Sequence, residues 1–313
     1  MMKVIVFGSK GLVGSSLVRV LKQSIKVSEL IESNRSNLDL FDSINVRNFM
    51  LDTKPDIIIN AAAKVGGIYA NDTKRTQFIL ENLKINMNIL EPCIELPKTK
   101  VINLGSSCIY PLNSQNPISE EEFMGGKLEP TNSPYAMAKL TSIEIGRSIS
   151  KQYGNKIINL MPTNLYGPND YFSDMDSHVI PALIHRMYKS KLNNDETFKV
   201  WGTGKPLREF LYVDDLSNFI ESILDENQDL DLLNVGSGIE VSIKELSHQI
   251  KNILKFEGKI IFDNSLPDGN PRKFLDSTKL KNIGWNEFTN LEVGLNETIN
   301  WYLNNLRSNR VVS

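Results

Sequence analysis

The stretch from Lys3 to Gly14 reads KVIVFGSKGLVG and decides the fold. Four apolar residues follow Lys3, and a strand that is apolar throughout is typical of a parallel sheet covered on both faces. Three glycines spaced three apart, Gly8, Gly11 and Gly14, come next, and a helical pattern begins at about Leu12. The stretch therefore predicts a buried strand, a tight glycine turn and a helix in succession.

Further apolar runs at 56–60 and 100–104 alternate with helical patterns. This alternation predicts an α/β fold with a doubly wound parallel sheet, the Rossmann fold, in which ligands lie at the carboxyl ends of the strands. Beyond Gly167 the alternation weakens and loops become rich in Asn, Asp, Gly and Pro, which predicts a smaller α/β substrate-binding region. The predicted divisions are 1–166 for the dinucleotide-binding domain, rejoined by about 208–236, and 167–207 with 237–313 for the substrate-binding region.

The glycine turn predicts a dinucleotide site. Missing side chains let the backbone turn tightly, approach a pyrophosphate and present amide groups at the positive end of a helix. Glycines also serve as plain turn residues, but the position directly after the first strand favours the dinucleotide.

The choice between NADP and NAD depends on charges beside the second strand. Glu32 lies near the end of that strand, where an acidic residue binds the ribose hydroxyls of NAD. Arg35 and Lys10 are both suited to the 2′-phosphate of NADP, although either is also compatible with a solvated surface charge. We predict NADP(H), with NAD(H) as the alternative.

A Tyr–Lys pair lies near the start of a long predicted helix, for which Ser133 is the expected N-cap, Pro134 the first helical residue and Gly154 the residue past the end. Tyr135 and Lys139 are four residues apart and project from one helix face. A phenol ionises near pH 10, and a neighbouring ammonium group is expected to lower that pKa. The alternative is an ordinary surface pair at helical spacing.

Two serines, Ser106 and Ser107, follow the strand 100–104 at the carboxyl edge of the sheet. A hydroxyl there is placed to bind a substrate carbonyl and orient it for hydride and proton delivery. A structural turn serine is the alternative.

Together these motifs resemble the extended short-chain dehydrogenase/reductase family, and within it the epimerase-reductases of the GDP-L-fucose synthase type. The resemblance runs through nearly the whole chain. Its most specific stretches are 61–68, 105–111, 128–135, 161–168, 177–183 and 267–273.

The resemblance implies NADPH-dependent epimerisation at C3 and C5 and reduction at C4 of GDP-4-keto-6-deoxy-D-mannose, giving GDP-L-fucose. It implies that Tyr135 donates a proton to the C4 oxygen, that Lys139 binds the nicotinamide ribose and that Ser106 positions the sugar. Cys108 and His178 match the pair that inverts C3 and C5, since hydrogens alpha to a 4-keto group are acidic. Burial as a small apolar residue is the alternative for Cys108, and helix capping is the alternative for His178.

The resemblance also implies two sets of ligand contacts. For the nucleotide end of the substrate it implies Arg186, Trp201, Arg208 and Asp268, with Lys273 nearby, although Trp201 as core, Arg186 as a surface residue and Arg208 as an ion-pair partner are alternatives. The implied cofactor contacts are Gly8, Lys10, Gly11, Leu12, Val13, Gly14, Arg35, Ala62, Ala63, Leu104, Gly105, Lys139, Pro162, Thr163, Asn164, Leu165 and His178.

Rival functions remain at this stage. The dehydratases of this family carry an acidic pair where this sequence has Ser107 and Cys108, and a simple 4-epimerase does not need the pair of Cys108 and His178. A reductase or epimerase for another GDP-linked 4-keto sugar, such as a heptose, would look similar around the reacting carbons. A non-catalytic dinucleotide-binding regulator would be expected to lack Tyr135 or Lys139.

Composition limits the other partners. A formal net charge of −2 and a pI near 6.0 give no support to nucleic-acid or anionic-membrane binding. Two cysteines and the absence of a long apolar run favour a soluble cytoplasmic protein without disulfides. Three scattered histidines show no metal-binding spacing. By analogy, the helical pattern 76–96 and the helix carrying Tyr135 are expected to form a homodimer.

Overall fold

The computed structural model describes residues 1–226, 230–266 and 268–312. The strands in these ranges are β1 (Met2–Phe7), β2 (Val27–Ser33), β3 (Ile57–Asn60), β4 (Lys100–Leu104), β5 (Ile157–Pro162), β6 (Asn164–Tyr166), β7 (Thr197–Trp201), β8 (Leu207–Tyr212), β9 (Leu232–Val235), β10 (Glu240–Ser242), β11 (Lys259–Asp263) and β12 (Arg272–Lys273). The α-helices are α1 (Leu12–Leu21), α2 (Ser43–Thr53), α3 (Ile68–Thr73), α4 (Arg75–Leu90), α5 (Ser133–Tyr153), α6 (Val179–Leu192), α7 (Val213–Ser222), α8 (Ile243–Leu254), α9 (Thr278–Asn282) and α10 (Leu291–Asn304). Short 3-10 helices lie at Glu91–Glu95, Ser107–Ile109 and Glu120–Glu122.

The large sheet has the strand order β2-β1-β3-β4-β5-β9 across the described residues, and each neighbouring pair is parallel. The chain leaves β1 toward one edge and then crosses back over it to build β3, β4 and β5. The carboxyl ends of β1 and β3 therefore flank the point where the winding direction changes, which is where such sheets bind ligands. The predicted doubly wound α/β fold is confirmed.

Burial on both faces explains why β1 is apolar throughout. Val4 and Val6 pack into a cluster with residues of α1 and α7, such as Leu17. Ile5 and Phe7 point the other way and pack with residues of α2 and α4. Alternate side chains thus serve opposite faces of one covered sheet.

A row of buried asparagines crosses the middle of the sheet. Asn60, Asn103 and Asn159 are in register on β3, β4 and β5. The Asn60 amide donates to Asn86 on α4 at 3.0 Å, and the Asn103 amide donates to Ser142 on α5 at 2.9 Å. These polar contacts tie α4 and α5 to the sheet in one arrangement.

Helix α5 begins at Ser133 and ends at Tyr153, and it is followed by Gly154, whose φ of 79° is in the left-handed region. The predicted end is confirmed, but the predicted N-cap is wrong by one residue. Asn132 occupies the N-cap position, and Ser133 is already helical with its hydroxyl donated to the carbonyl of Pro130. The correction matters because the Asn132 side chain makes no cap hydrogen bond and is available for another contact.

The rest of the described chain forms a smaller α/β region. Strands β10, β8 and β12 pair in that order, β6 also pairs with β8, and β7 pairs with β11. Helices α6, α8 and α10 cover these strands through a second apolar cluster, which includes Leu183, Phe198, Leu246 and Ile299. The domain boundaries given above stay a prediction. Within the described ranges, no helix combines the length and apolar character needed to cross a membrane.

Candidate active site

The glycine loop joins β1 to α1. Gly8 has a φ of 78°, and a Cβ on it would lie 2.8 Å from the backbone of Ala62. A Cβ on Gly14 would lie 2.0 Å from the Gly8 carbonyl oxygen. The corresponding distance for Gly11 is 3.3 Å. Packing therefore requires Gly8 and Gly14, whereas a Cβ on Gly11 would be tight without colliding with the protein.

The start of α1 is suited to an anion. Gly11 is the N-cap and supplies no side-chain acceptor, and the first turn contains no acidic residue. The amide groups of Leu12 and Val13 therefore have no partner within the helix or at its cap. Free amides at a positive helix end fit the pyrophosphate of a dinucleotide.

Charges at the adenosine end favour NADP over NAD. The Glu32 carboxylate forms an ion pair with Lys22 at 2.7 Å. The Lys10 ammonium lies 3.5 Å from the Ser36 hydroxyl, in the turn that also carries Arg35. Arg35 is exposed and forms no ion pair or hydrogen bond with another described residue. The Glu32 carboxylate is already paired, whereas the Lys10 and Arg35 cations are available. This arrangement suits the 2′-phosphate of NADP.

The other predicted cofactor residues share the carboxyl edge of the sheet. Gly105 lies against Met161, where a Cβ would be 2.0 Å from the methionine methyl group. Thr163 and Asn164 both donate from their side chains to the carbonyl of Glu209. The remaining predicted cofactor residues lie at or just after the carboxyl ends of β3, β4 and β5. They are Ala62, Ala63, Leu104, Pro162 and Leu165.

Tyr135 and Lys139 project from the first turns of α5 toward the end of β4. The Lys139 ammonium donates to the Leu104 carbonyl at 2.6 Å and lies 5.9 Å from the centre of the Tyr135 ring. Burial lowers the pKa of Lys139 to about 8. Burial raises the pKa of Tyr135, the charge of Cys108 adds to that increase, and a hydrogen bond with Ser106 opposes it.

This direction corrects one expectation. The ammonium of Lys139 was expected to lower the Tyr135 pKa, but desolvation of the phenol raises it, and the hydrogen bond with Ser106 is the contact that opposes the increase. A phenol with a raised pKa stays protonated at neutral pH. Tyr135 therefore carries its proton at neutral pH, although burial makes it a weaker acid than an exposed phenol.

Ser106 and Cys108 lie within reach of Tyr135. Ser106 caps the 3-10 helix Ser107–Ile109 by accepting a hydrogen bond from the Cys108 amide at 3.2 Å. The Cys108 thiol is partly exposed, unlike an ordinary buried cysteine. Its sulfur accepts a hydrogen bond from the Asn132 side-chain amide at 3.5 Å.

His178 occupies the N-cap position of α6, yet its imidazole makes no cap hydrogen bond with the helix amides. The ring reaches solvent but is crowded by protein atoms, and this partial desolvation lowers its pKa. The residues just before His178 contact the loop after β3, and that loop is connected to Tyr135 through one further side chain. The Gly67 amide donates to the Asp176 carbonyl at 2.7 Å, and a Cβ on Gly66 would lie 3.3 Å from the same oxygen.

Phe78 completes that connection. Its ring meets the Tyr135 ring edge to face, with centroids 6.3 Å apart. A Cβ on Gly66 would lie 3.2 Å from the same phenylalanine ring. The segment before His178, the loop after β3 and the start of α5 are thus connected by a continuous series of contacts.

Arg186 and Trp201 form a half-buried pair in the smaller region. The guanidinium carbon lies 5.3 Å from the Trp201 ring centre and 5.4 Å from that of Phe198. Trp201 is 45% exposed, so it is not a core residue. The Nε of Arg186 is buried without a hydrogen-bond partner in the described structure. A flat indole and an incompletely bonded guanidinium suit a base and a phosphate.

Arg208 and Lys273 lie side by side in register on the parallel strands β8 and β12. Arg208 donates to its neighbour's carbonyl, at Leu207, and does not pair with Glu209. Asp268 accepts from both the amide and the hydroxyl of Thr203, at 2.6 and 2.7 Å.

The two Asp268 contacts indicate that this carboxylate holds the loop after Trp201. Asp268 belongs to the motif 267–273, whose first residue, Pro267, lies outside the described residues.

Sequence reasoning missed Asn132, Phe78, Asn169 and Arg310. The first two contact the predicted catalytic residues, and the last two contact the glycine loop, as described below. Asn132 stands inside the motif 128–135, which was the one available signal. Cys93 and Cys108 are both free thiols, and no cluster of His, Cys, Asp and Glu suited to a metal occurs in the described part of the chain.

Residues 4–236 match the NAD-dependent epimerase/dehydratase family. The chain belongs to that family. It is 45% identical over 304 residues to GDP-L-fucose synthase 1 of Arabidopsis thaliana, covering 97% of this chain and 94% of the plant protein.

Two solved structures are also similar to this chain. The GDP-L-fucose synthetase of Naegleria fowleri bound to NADP has a TM-score of 0.90 and 29% identity, covering 98% of this chain and 94% of that one. A GDP-6-OMe-4-keto-L-xylo-heptose reductase from C. jejuni has a TM-score of 0.89 and 30% identity, covering 96% and 97%.

Proposed function

We propose that this protein is a GDP-L-fucose synthase. It epimerises GDP-4-keto-6-deoxy-D-mannose at C3 and C5 and reduces C4 with NADPH. The observation that carries the proposal is the grouping of a protonated phenol, a hydroxyl and a partly exposed thiol at Tyr135, Ser106 and Cys108. Similarity to GDP-L-fucose synthase 1 of Arabidopsis thaliana over almost the full chain supports it.

For the reduction, bound NADPH supplies a hydride to C4. Tyr135 is protonated at neutral pH and donates its proton to the C4 oxygen as the hydride arrives. Ser106 donates a hydrogen bond to the same carbonyl and fixes its direction. Lys139, held at the Leu104 carbonyl, keeps a positive charge beside the phenolate that forms.

For the epimerisation, Cys108 and His178 act on the hydrogens of C3 and C5. One of them removes a proton from the carbon next to the 4-keto group, and the other returns a proton from the opposite face. Asn132 orients the Cys108 side chain by donating a hydrogen bond to its sulfur. The lowered pKa of His178 keeps a neutral imidazole available as a base near neutral pH.

The nucleotide end of the substrate is assigned to the smaller region. Arg186, Arg208 and Lys273 supply cations for the diphosphate, and the exposed face of Trp201 supplies an apolar surface for the base. Asp268 acts indirectly because its carboxylate is already bonded to Thr203.

A second candidate function is the reduction or epimerisation of another GDP-linked 4-keto sugar. The heptose reductase from C. jejuni covers nearly the whole chain, and this observation favours a heptose as that substrate. A pair of proton-transfer residues at Cys108 and His178 favours the deoxy sugar that must be inverted at two carbons.

We further infer a cytoplasmic homodimer. Leu80 and Met87 on α4 and Met137 on α5 are 50%, 47% and 47% exposed. Three exposed apolar side chains on two adjacent helices support pairing through this face. Two free thiols, Cys93 and Cys108, are consistent with a reducing compartment.

Replacing the proposed acid tests the function. We expect Tyr135→Phe to lower kcat for NADPH oxidation by about a hundredfold to ten-thousandfold because the proton donor is lost. Tyr153→Phe is the matched control, since Tyr153 lies at the far, exposed end of the same helix. Equal activity of Tyr135→Phe and the control would refute the assignment of Tyr135.

A further inference from the structure

A long-range contact connects the segment 308–312 with the glycine loop. The Nη2 of Arg310 donates to the carbonyl of Lys10 at 3.1 Å. The same nitrogen lies 3.9 Å from the position of a Cβ on Gly11. A residue 300 positions away therefore touches the turn that is suited to the pyrophosphate.

Asn169 contacts the same carbonyl. Its side-chain amide donates to Lys10 at 2.9 Å and approaches the Gly11 carbonyl at 3.5 Å. The Nε of Arg310 in turn donates to the Asn169 carbonyl at 3.1 Å. Asn169 adopts a φ of 68°, a left-handed conformation that is uncommon for residues other than glycine. Arg310, Asn169 and Lys10 thus form a closed set of contacts.

The segment is anchored by backbone contacts. The Phe172 amide donates to the Arg310 carbonyl at 2.7 Å, and the Val312 amide donates to the Phe172 carbonyl at 2.8 Å. The Phe172 ring stacks on Trp301 of α10, with centroids 6.0 Å apart. Arg310 therefore approaches the glycine loop from a fixed support.

The buried carboxylate of Asp170 adds a favourable charge. Asp170 is 5% exposed, and one of its oxygens has no hydrogen-bond partner in the described ranges. Burial lowers the pKa of the Arg310 guanidinium, and the charge of Asp170 opposes that decrease. Burial also raises the pKa of Asp170 to about 7, so its support of the Arg310 cation grows as the pH rises through that value.

We propose that Arg310 is a positioning residue for the dinucleotide, and that Arg310 with Asn169 latches the glycine loop in the form that binds the pyrophosphate. The Gly11 amide donates inward to the Gly8 carbonyl at 2.9 Å, so the carbonyl of the same peptide, at Lys10, faces the latch. Hydrogen bonds on both sides of the Lys10–Gly11 peptide fix its orientation. That orientation sets the direction of the free amides at the start of α1, which bind the pyrophosphate. The inference rests on the proposed use of NADPH.

The test measures NADPH affinity of the full chain directly, by the change in NADPH fluorescence on titration. We expect Arg310→Ala to raise the dissociation constant about tenfold, since hydrogen bonds from a charged donor are lost. Arg307→Ala is the matched control, because Arg307 is exposed just before this segment and its side chain forms no hydrogen bond or ion pair with another described residue. Its affinity should equal that of the unmodified protein.

Further measurements separate a latch from a general loss of structure. With saturating NADPH, kcat and the KM for the GDP-sugar should be unchanged in Arg310→Ala. Arg310→Lys should bind with intermediate affinity, because an ammonium reaches one of the two carbonyls that Arg310 bridges. Asn169→Gly keeps the left-handed conformation and removes the amide, so it should also weaken NADPH binding.

Unchanged affinity in both Arg310→Ala and Asn169→Gly would overturn the latch while leaving the proposed function intact. A raised KM for the GDP-sugar with unchanged NADPH affinity would also overturn it. Failure of the unmodified protein to bind NADPH would overturn the cofactor assignment, and the latch with it.

Discussion

The two cysteines illustrate how the surroundings of a residue set its chemistry. Cys93 is fully buried, donates its thiol hydrogen to the Ile89 carbonyl, and has a pKa raised to about 12 by burial. Cys108 is partly exposed beside Ser106 and the Asn132 amide. Only the thiolate is nucleophilic, so the two residues should differ in reactivity.

We expect iodoacetamide near neutral pH to alkylate Cys108 and to leave Cys93 unmodified. Mass spectrometry of proteolytic peptides checks this, and the Cys108→Ser protein is the control, which should take up no label while folded. Bound GDP-sugar should slow the labelling. Preferential labelling of Cys93 would contradict the described environments.

Lys139 predicts a pH effect. Its folded-state pKa is lowered from 10.5 to about 8, so the ammonium that supports Tyr135 is lost as the pH rises through about 8. We expect kcat/KM for NADPH to fall above that pH, with Lys139→Arg retaining its own lower activity at alkaline pH. A flat profile to pH about 10 would contradict this pKa, because kcat/KM reports groups of the free enzyme.

The same shift has the opposite effect on stability. The folded state disfavours the charged lysine, so this penalty is complete below pH about 8 and disappears as the pH rises toward 10.5. Activity and the contribution of Lys139 to folding therefore change in opposite directions over this range.

At the residue scale, the sequence predicted which side chains lie together but not how their surroundings shift their pKa values. Spacing placed Tyr135 and Lys139 on one face of α5, but the direction of the Tyr135 pKa depends on burial by other elements. The role of Asn132 was not predicted either, although the residue stands inside the motif 128–135. Its contact with Cys108 joins two loops that are 24 residues apart.

At the level of elements, the glycine loop separates packing from ligand binding. A Cβ on Gly14 would collide with the Gly8 carbonyl, whereas one on Gly11 would be only tight. We expect Gly14→Ala to lower stability by about 1–3 kcal/mol or more through overpacking. We expect Gly11→Ala to fold well and to weaken NADPH binding.

Thermal unfolding and NADPH titration of the two variants check this contrast. Loss of stability in Gly11→Ala with unchanged NADPH affinity would contradict the assignment of Gly11 to cofactor binding rather than to packing. Gly154→Ala is a useful reference, because Gly154 has a positive φ but no atom near its missing side chain. It should lose stability through backbone strain without affecting the cofactor.

Element positions were predicted well because strong local signals mark them. The apolar run before Gly8 and the stop at Gly154 have physical causes within a few residues of sequence. The asparagine row was not predicted, because each of Asn60, Asn103 and Asn159 interrupts its apolar strand singly. Only the register of three strands shows that they form one hydrogen-bonded group.

For the whole molecule, the exposed apolar face of α4 and α5 predicts an assembly. We expect the double variant Leu80→Glu, Met137→Glu to be monomeric, because charges on both helices oppose burial of that face. Sedimentation analysis checks this against the unmodified protein, for which we expect a dimer. Leu192→Glu is the control, since Leu192 is 63% exposed at the end of α6.

A monomeric unmodified protein would contradict the dimer, as would a double variant that still dimerises. The domain boundaries are likewise still a prediction, which limited proteolysis would examine. Long-range contacts such as that of Arg310 with Lys10 could not be predicted, because no local pattern connects segments so far apart in sequence.

The most direct measurement is the conversion of GDP-4-keto-6-deoxy-D-mannose with NADPH in deuterated water, with the product examined by NMR. We predict GDP-L-fucose carrying solvent deuterium at C3 and C5 and none at C4, because protons exchange at the first two carbons and hydride is delivered to the third. A reduced product with unchanged configuration and no deuterium at C3 and C5 would contradict the epimerase. Absence of turnover, with reduction of a GDP-linked 4-keto heptose, would contradict the proposed substrate.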